Sequence, residues 1–189
     1  MILGITGTNG AGKGSVVTYL VEEKGFTHFS VREKILEEVK RRGLELNRTN
    51  TGETGTSLRR EHGANYFTDS FLATAREQGA DHVVIESIRT LAEAAYLREQ
   101  GGKVIAVDAP VEVRYERITS RGSVTDKVSF EDFRLQEDAE YRPKDITDST
   151  QMNVLGVIET ADYVIINNGS LEELHTQIDT ILALSVEPV

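Results

Sequence analysis

Nine residues near the start of the chain constrain its fold more than any other segment. The sequence GTNGAGKGS occupies residues 7–15 and directly follows the apolar segment MILGI at residues 1–5. Gly7, Gly12 and Lys13 have the spacing of a Walker A loop, in which small residues let backbone N–H groups turn inward and a lysine reaches the phosphates. This pattern predicts a strand, a phosphate-binding loop and a helix, in that order.

The residues after the loop support the predicted helix. Val16, Val17, Leu20 and Val21 recur at helical spacing, and Gly25 lies where such a helix would end. The N–H groups of its first turn would add a positive end to the same anion site. Loop and helix together predict that the chain binds a nucleoside triphosphate, with ATP as the expected cofactor.

One loop position departs from the usual Walker A pattern. Gly14 follows Lys13, where Ser or Thr usually donates a hydroxyl to magnesium, and the hydroxyl comes one residue later, at Ser15. We therefore expect Mg²⁺ to be held mainly by phosphates and water, because this ion dehydrates reluctantly. The predicted nucleotide-binding residues of the loop are Gly7, Asn9, Gly10, Ala11, Gly12, Lys13, Gly14 and Ser15.

The length and charge of the chain limit what else it can be. Its 189 residues suit one α/β domain. The formal net charge of −10 disfavours a nucleic-acid or anionic-membrane partner, since those partners need a basic face. No apolar run approaches a membrane span and no signal-peptide pattern precedes the first strand. We therefore expect a cytoplasmic protein that acts on small molecules.

Short apolar strands alternate with helices along the whole chain. Strands are predicted at residues 2–6, 26–29, 82–86, 103–108 and 163–167. Near-continuous apolar runs of this kind are typical of parallel strands that are buried on both faces. The pattern therefore predicts an α/β fold with five parallel strands and helices on both sides.

The region between the second and third strands is predicted to face the substrate. A helix is expected at residues 31–42. The polar residues 47–56 are turn-prone and predict a flexible loop, followed by a helical segment at 58–78 with a break at Gly63. We interpret the region 31–78 as a flap that binds the phosphate acceptor.

Charged residues near the ends of the predicted strands form a candidate catalytic site. Glu86 ends the third strand, at the edge where open α/β sheets place ligand-facing groups, and can hold a magnesium-bound water. Arg32 and Arg89 are the candidates for binding the acceptor phosphate, because arginine offers a planar, bidentate fork to phosphate oxygens. Arg59, which follows the polar segment, is a further candidate for the acceptor ribose or phosphate.

Arginines recur on one face of the helix predicted at residues 111–121. Arg114, Arg117 and Arg121 are spaced three and four residues apart. The segment that follows, residues 122–142, is expected to fold over the site as a lid that excludes water. Cations over the migrating phosphate favour its transfer. The predicted catalytic residues are Lys13, Glu86, Arg117 and Arg121.

The sequence lacks other catalytic signatures. It has no cysteine, no Ser-His-Asp elbow and no HExxH pair, so hydrolase and zinc-enzyme functions find no support. The four histidines show no metal-ligand spacing. We interpret His28, His82 and His175 as ordinary strand or surface residues.

The motifs resemble those of two kinase families. The loop form Gly-x-x-Gly-x-Gly-Lys-Gly-Ser resembles adenylate kinases and related nucleoside monophosphate kinases, with Asn9 where they usually carry proline. Residues 114–122 resemble the start of the lid in adenylate kinases and dephospho-coenzyme A kinases. Residues 166–174 resemble the last strand-to-helix turn of dephospho-coenzyme A kinases, which lies beside the donor adenine and implies that Asn167 binds the cofactor.

The resemblance extends over almost the whole chain in the order of elements. It implies a single P-loop kinase domain, residues 1–189, with a three-layer P-loop NTPase fold, strand order 2-3-1-4-5 and a small lid. The third strand is followed by ESIRT at residues 86–90, where adenylate kinases have an Asp-Gly-Phe-Pro-Arg-Thr segment. An acid and an arginine are kept, and the identity of the acceptor base is left open.

Three hypotheses of function follow. The first is a kinase that transfers the γ-phosphate of ATP to a nucleoside or deoxynucleoside monophosphate. The second is a dephospho-coenzyme A kinase, whose acceptor is a ribose hydroxyl. The third is a non-catalytic switch module, in which nucleotide binding matters and turnover is incidental. We expect a monomer or a weak homodimer, because the flap and the lid must move.

Overall fold

The computed structural model describes residues 1–121 and 129–186. Within them, strands and helices alternate along the chain. The strands are β1 (Ile2–Gly7), β2 (Thr27–Ser30), β3 (Val83–Glu86), β4 (Lys103–Asp108) and β5 (Tyr163–Ile166). The helices are α1 (Lys13–Glu22), α2 (Val31–Arg41), α3 (Arg48–His62), α4 (Tyr66–Glu77), α5 (Leu91–Glu99), α6 (Val111–Arg121), α7 (Phe130–Tyr141), α8 (Val154–Glu159) and α9 (Leu171–Val186).

The strands of this described part form one parallel sheet in the order β2-β3-β1-β4-β5. The central strand β1 pairs with β3 on one side and β4 on the other, so that Ile5 lies between Glu86 and Ile105. The order and direction confirm the predicted P-loop NTPase fold. Open α/β sheets bind ligands where the strand order reverses, and here that point is the carboxyl end of β1 and its neighbours.

Helices cover both faces of the sheet because its strands are apolar on both faces. On one face, Leu3 and Ile5 pack with Leu20 of α1 and with the apolar side of α9. On the other face, Val83 and Ile85 pack with α2, α4 and α5. Burying such a side chain contributes about 1.5–3 kcal/mol. The positions of the carboxyl ends of the central strands are therefore fixed by a well-packed core.

The prediction of a flexible loop at residues 47–56 is wrong, because most of this segment forms the first part of α3. The side-chain oxygen of Asn47 caps the helix by accepting a hydrogen bond of 2.8 Å from the Asn50 N–H. The small residues allow α3 to approach α2 closely: a Cβ on Gly55 would lie 2.9 Å from Ile35 Cδ1. The small residues that are typical of turns serve here to let α3 pack closely against α2.

The predicted break at Gly63 is confirmed, since α3 ends at His62 and α4 begins at Tyr66. By contrast, no prediction covered α8. The side-chain oxygen of Asn153 caps this short helix, and the Asn153 N–H donates a hydrogen bond of 2.8 Å to the Arg89 carbonyl. Helix α8 therefore supports the loop after β3.

The first part of the predicted lid, residues 122–128, lies outside the described residues. The remainder forms α7, where the Ser129 hydroxyl accepts a hydrogen bond of 3.1 Å from the Asp132 N–H. In the two described ranges, no helix combines the length and the apolar character needed to cross a membrane.

Candidate active site

The loop at residues 7–15 lies where the sequence predicted it, between β1 and α1. Gly10 and Gly12 have φ angles of 79° and 97°, which favour glycine over residues with a side chain. These angles turn the chain so that α1 begins at Lys13, directly after Gly12. The segment therefore has the strand-loop-helix context that a phosphate loop requires.

The start of α1 is suited to an anion. Its N-cap, Gly12, makes no side-chain hydrogen bond, and its first turn contains no acidic residue. The first N–H groups of a helix have no partner within the helix, and they carry the positive end of its dipole. A phosphate group is a ligand that satisfies both features.

Lys13 folds back over the loop. Its Nζ donates hydrogen bonds to the carbonyl oxygens of Gly7, at 3.0 Å, and Thr8, at 2.7 Å. The ammonium group is therefore already at the loop, where phosphate oxygens could replace these two carbonyls as its partners.

Glu86 lies at the end of β3 and interacts with basic side chains from three other elements. His28 of β2 approaches it, with Nε2 3.3 Å from Glu86 Oε2, in an ion-pair contact that is not well aligned as a hydrogen bond. The pKa of Glu86 is lowered from its ordinary value of 4.5, first by His28 and then by the charges of Lys13 and Arg32, while partial burial opposes the shift. Glu86 is therefore an ionised carboxylate at neutral pH.

The structure places His28 beside Glu86, a contact that the sequence did not predict. Strands β2 and β3 are adjacent and parallel, with Ser30 beside Glu86 in the register. Because side chains two residues apart share one face of a strand, His28 lies on the same face as Ser30 and Glu86. The predicted strand order, combined with this alternation, is the sequence signal that could have identified the pair.

The two arginines predicted to bind the acceptor phosphate flank Glu86 differently. Arg32 is exposed in the first turn of α2, and it makes no hydrogen bond or ion pair with another residue of the described ranges. Arg89 is half-buried in the loop that follows Glu86. Its N–H donates to Glu93 Oε2 at 3.2 Å and its carbonyl accepts from Asn153, so the backbone at Arg89 is fixed on both sides.

Arg59 is buried in the interior, which corrects the predicted contact with the acceptor. Its side chain is 1% exposed, and its Nε donates a hydrogen bond of 2.8 Å to Oε1 of the fully buried Glu93. Its guanidinium group also lies over the Phe67 ring, 4.9 Å from the centroid. Because Glu93 accepts the N–H groups of Arg89 and Thr90 as well, Arg59 supports the Arg89 loop from behind.

Arg117 and Asn167 meet at the phosphate loop, from α6 and from the end of β5. Asn167 Nδ2 donates a hydrogen bond of 2.8 Å to the Ala11 carbonyl, and Arg117 Nη1 donates one of 3.0 Å to the Asn167 carbonyl. An open cleft of about 480 Å³ begins at the next residue, Asn168. The side chain of Arg121, the other predicted lid cation, lies outside the described part of the structure.

A shallow cleft of about 300 Å³ opens between α1 and the edge formed by β2 and β3, and Gly14, Thr18, His28 and Glu86 line part of it. Gly14 faces open space, since a Cβ there would have no neighbour within 4 Å. The cleft therefore gives a small ligand access to Glu86 beside the phosphate loop.

The oxygen donors at the loop suit Mg²⁺. Ser15 is exposed in the first turn of α1, and Glu86 is ionised. Across residues 1–121 and 129–186, no three His, Cys, Asp or Glu side chains come together as a metal site. A hydroxyl and a carboxylate, supplemented by phosphate oxygens and water, match the hard ligands that Mg²⁺ prefers.

Comparison with known proteins identifies the family. The AAA domain model matches residues 3–145, which include the loop and Glu86. A UPF0200 protein of Thermococcus kodakarensis is 33% identical over 184 residues, and the alignment covers 94% of each protein. The chain belongs to the UPF0200 family and contains an AAA domain.

Solved structures of small-molecule kinases are similar in fold to this UPF0200 family member. A shikimate kinase from Bacteroides thetaiotaomicron has a TM-score of 0.58 and 14% identity, with 97% of each chain covered. A gluconokinase from Sinorhizobium meliloti has a TM-score of 0.53 and 15% identity, covering 96% of this chain and 91% of the other. These likenesses show the fold alone. The protein shares the P-loop fold of these kinases.

Proposed function

We propose that this UPF0200 protein is an ATP-dependent kinase whose acceptor is a nucleoside or deoxynucleoside monophosphate. One arrangement carries the proposal: Lys13 lies on the phosphate loop, and the Glu86 carboxylate, which shares a cleft with Gly14, interacts with the charges of Lys13 and of Arg32 in α2. A site of this form offers one cation to the donor phosphates and another to an acceptor phosphate. The carboxylate lies near both.

On this proposal the donor phosphates bind the N–H groups of the loop and of the first turn of α1. Lys13 exchanges its two carbonyl partners for phosphate oxygens and follows the migrating group as a point charge. The donor base lies near Arg117 and Asn167, which contact each other beside the loop. No protein nucleophile is required, because phosphoryl transfer depends on positioning and on neutralising charge.

Ser15 and Glu86 would orient Mg²⁺ at the phosphates, Ser15 through its hydroxyl and Glu86 through a bound water. When bound, this ion neutralises the charge on the phosphate oxygens during transfer. The lowered pKa of Glu86 keeps its carboxylate ionised for this purpose at neutral pH.

Arg32 and Arg89 would bind the acceptor phosphate. Arg32 can do so without breaking a hydrogen bond or ion pair to any other described residue. Arg89 is carried by a loop whose backbone is fixed by Glu93 and Asn153, and a fixed loop loses less entropy when its arginine binds. The cleft beside Gly14 provides space for part of the acceptor.

Closure would complete the site. The region at residues 31–78 and the predicted lid, whose α7 part already contacts the phosphate loop through Tyr141, would cover the bound nucleotides and exclude water, which otherwise competes as a phosphate acceptor. Arg117 and Arg121 would then stabilise the charge on the group in transfer.

The position of the Glu86 carboxylate, which lines the cleft beside Gly14, favours a second candidate, a kinase with a hydroxyl acceptor such as dephospho-coenzyme A. A hydroxyl must lose its proton during transfer, and an ionised carboxylate that lies beside the phosphate loop can accept it. A phosphate oxygen needs no such base. The roles of the loop, of Lys13 and of the lid are the same in both candidates.

The experiment is an acceptor screen with ATP and Mg²⁺, using all ribo- and deoxynucleoside monophosphates and dephospho-coenzyme A. A nucleoside diphosphate product supports the first candidate, and coenzyme A supports the second. If the protein binds ATP and phosphorylates none of these acceptors, the kinase proposal fails and the switch hypothesis takes its place.

The variant Glu86→Gln separates the two candidates further. If Glu86 is a general base for a hydroxyl, its loss should reduce kcat by about 10²–10⁴-fold. If Glu86 only positions a magnesium-bound water, added Mg²⁺ should restore part of the lost rate. Lys13→Ala serves as the inactive reference in both assays.

A further inference from the structure

Side chains from α6 and α7 form hydrogen bonds with the backbone of Asn9, at the tip of the phosphate loop. The Asn9 N–H donates a hydrogen bond of 2.6 Å to the Tyr141 hydroxyl oxygen. The Asn9 carbonyl accepts a hydrogen bond of 3.3 Å from Arg114 Nη1. The N–H and the carbonyl of Asn9 are therefore both hydrogen-bonded to side chains more than a hundred residues later in the chain.

The two side chains that hold Asn9 are fixed by a third. Glu137 Oε1 accepts a hydrogen bond of 2.6 Å from the Tyr141 hydroxyl and forms an ion pair with Arg114 Nη1. Tyr141 is 4% exposed, and Glu137 and Arg114 are each 7% exposed. Such bonds are stronger in a buried site than in water.

The protonation of Tyr141 is consistent with its role as a donor to Glu137. Burial, followed by the bond to Glu137, raises the pKa of the Tyr141 hydroxyl. The hydroxyl therefore keeps its proton across the ordinary pH range, donates it to Glu137, and leaves its oxygen to accept the Asn9 N–H.

A second contact joins the same residues to the preceding part of the loop. The Thr8 hydroxyl donates a hydrogen bond of 2.6 Å to Asp108 Oδ1, at the end of β4. The same carboxylate oxygen lies 3.7 Å from Arg114 Nε, which also donates a hydrogen bond of 2.9 Å to the Ala109 carbonyl. These contacts form a closed ring, the tip ring, made of Thr8, Asn9, Asp108, Arg114, Glu137 and Tyr141.

The loop tip also lies directly against the backbone of α6. A Cβ on Gly10 would be 2.5 Å from the Arg114 carbonyl oxygen, and Gly10 has a φ of 79°. The tip can lie this close because position 10 has no side chain. The shape of the tip is therefore set by α6 and α7 as well as by the loop's own sequence.

We propose that Tyr141, Glu137 and Arg114 are positioning residues that hold the phosphate loop in its anion-binding shape. They fix Asn9 through its backbone, and the N–H groups that follow in the loop are then directed at the donor phosphates before the nucleotide arrives. Preorganised donors of this kind lose little free energy to rearrangement when they bind charge. This inference rests on the proposed use of the loop as the donor phosphate site.

The test is the variant Tyr141→Phe, which keeps the ring of the side chain and removes the hydroxyl. Affinities for ATP and for inorganic triphosphate are measured by calorimetry, because inorganic triphosphate can bind the loop and has no base or ribose. We expect both affinities to fall by the same factor, about 3- to 10-fold, because Asn9 loses the hydroxyl that accepts its N–H and Glu137 loses its donor. Amide hydrogen exchange at Asn9 should accelerate.

The matched control is Tyr96→Phe. The Tyr96 hydroxyl also donates to a carboxylate, that of Asp69, but joins α5 to α4 away from the loop. Both ligands should bind this variant with wild-type affinity. If Tyr141→Phe does not fold, Glu137→Gln provides the same comparison, since it keeps an acceptor for Tyr141 and removes the charge opposite Arg114.

Three outcomes are decisive. Wild-type affinity for inorganic triphosphate in Tyr141→Phe, with unchanged exchange at Asn9, overturns the inference. A loss of thermal stability without a loss of affinity overturns it too, because Tyr141 would then serve stability alone. If the wild-type protein binds neither ATP nor inorganic triphosphate, the proposed function itself fails.

Discussion

The side-chain amide of Asn167 lies where a Cβ on Gly12 would have to be. Its Nδ2 is 2.1 Å from that position, and Gly12 has a φ of 97°. The bond from this amide to the Ala11 carbonyl brings Asn167 so close. The left-handed backbone and the side chain of a residue distant in sequence thus both favour glycine at position 12.

Gly12→Ala should therefore weaken ATP binding by about tenfold and lower the stability of the fold. The added carbon clashes with Asn167, and a left-handed backbone costs an L-residue about 1–2 kcal/mol. Calorimetric titration with ATP and thermal unfolding are the measurements. The matched control is Gly14→Ala, where the new carbon meets no atom within 4 Å, and this variant should fold normally. Equal behaviour of the two variants would contradict the restriction that the backbone angle and Asn167 together place on position 12.

Lys13→Ala should slow phosphoryl transfer by at least about 10²-fold, because a preorganised charge at the migrating phosphate is lost. The rate of product formation at saturating ATP measures the effect. Lys24→Ala is the control, since Lys24 lies just after the same helix and pairs with Asp179 at 2.7 Å, away from the loop. Near-normal turnover in Lys13→Ala would remove the catalytic role of the loop.

Arg59→Met should destabilise the protein by about 3–5 kcal/mol, because it leaves the Glu93 carboxylate buried without a cation. Arg98→Met is the comparison, since Arg98 pairs with Asp162 at 2.9 Å where both side chains are partly exposed. Its loss should cost about 1 kcal/mol or less. Urea unfolding measures both. Similar losses of stability in the two variants would show that the buried ion pair contributes no more to stability than the partly exposed one.

The same substitution tests whether Arg59 acts through the Arg89 loop. Because Glu93 also accepts the N–H groups of Arg89 and Thr90, Arg59→Met should raise the KM for the acceptor and leave the KM for ATP unchanged. Equal changes in both KM values would indicate a general loss of structure.

The stability of the protein should depend on pH through Glu86. The pKa of Glu86 is lower in the folded protein than in the unfolded chain. At pH values above the unfolded-state pKa, the ionised carboxylate therefore stabilises the fold. This contribution is lost as the pH falls through the folded-state pKa. The advantage of the wild type over Glu86→Gln in unfolding free energy should therefore shrink below pH 4.5, the ordinary value. Urea unfolding at a series of pH values measures it.

His28→Gln gives the companion result. Without the imidazole, which is the largest cause of the shift, the pKa of Glu86 should rise toward 4.5. The stability lost below pH 4.5 should then be smaller than in the wild type, because the folded-state and unfolded-state pKa values of Glu86 lie closer together. An unchanged profile would show that His28 and Glu86 do not interact in solution.

The phosphate loop and the sheet could be predicted because their signals are local. The spacing of Gly7, Gly12 and Lys13 occurs within seven residues, and each strand is a short apolar run with its own boundaries. Glu86 could be located for the same reason, since its position at the end of β3 follows from the strand alone.

The helix at α3 and the burial of Arg59 could not be predicted in this way. The segment around Gly55 has the composition of a loop, and it is helical because small residues let α3 pack against Ile35 of α2. Arg59 is charged, yet it is buried because Glu93 of α5 lies opposite it. Both outcomes depend on partners from other elements.

The sequence by itself determined the phosphate loop, the alternation of strands and helices, and the acid at the end of β3, because backbone preferences and apolar periodicity act over a few residues. Only the tertiary structure decided which side chains surround the loop: His28 against Glu86, Asn167 against Gly12, and Tyr141 on Asn9. Burial and distance between remote elements set the strength of these contacts, and neither quantity exists before the chain has folded.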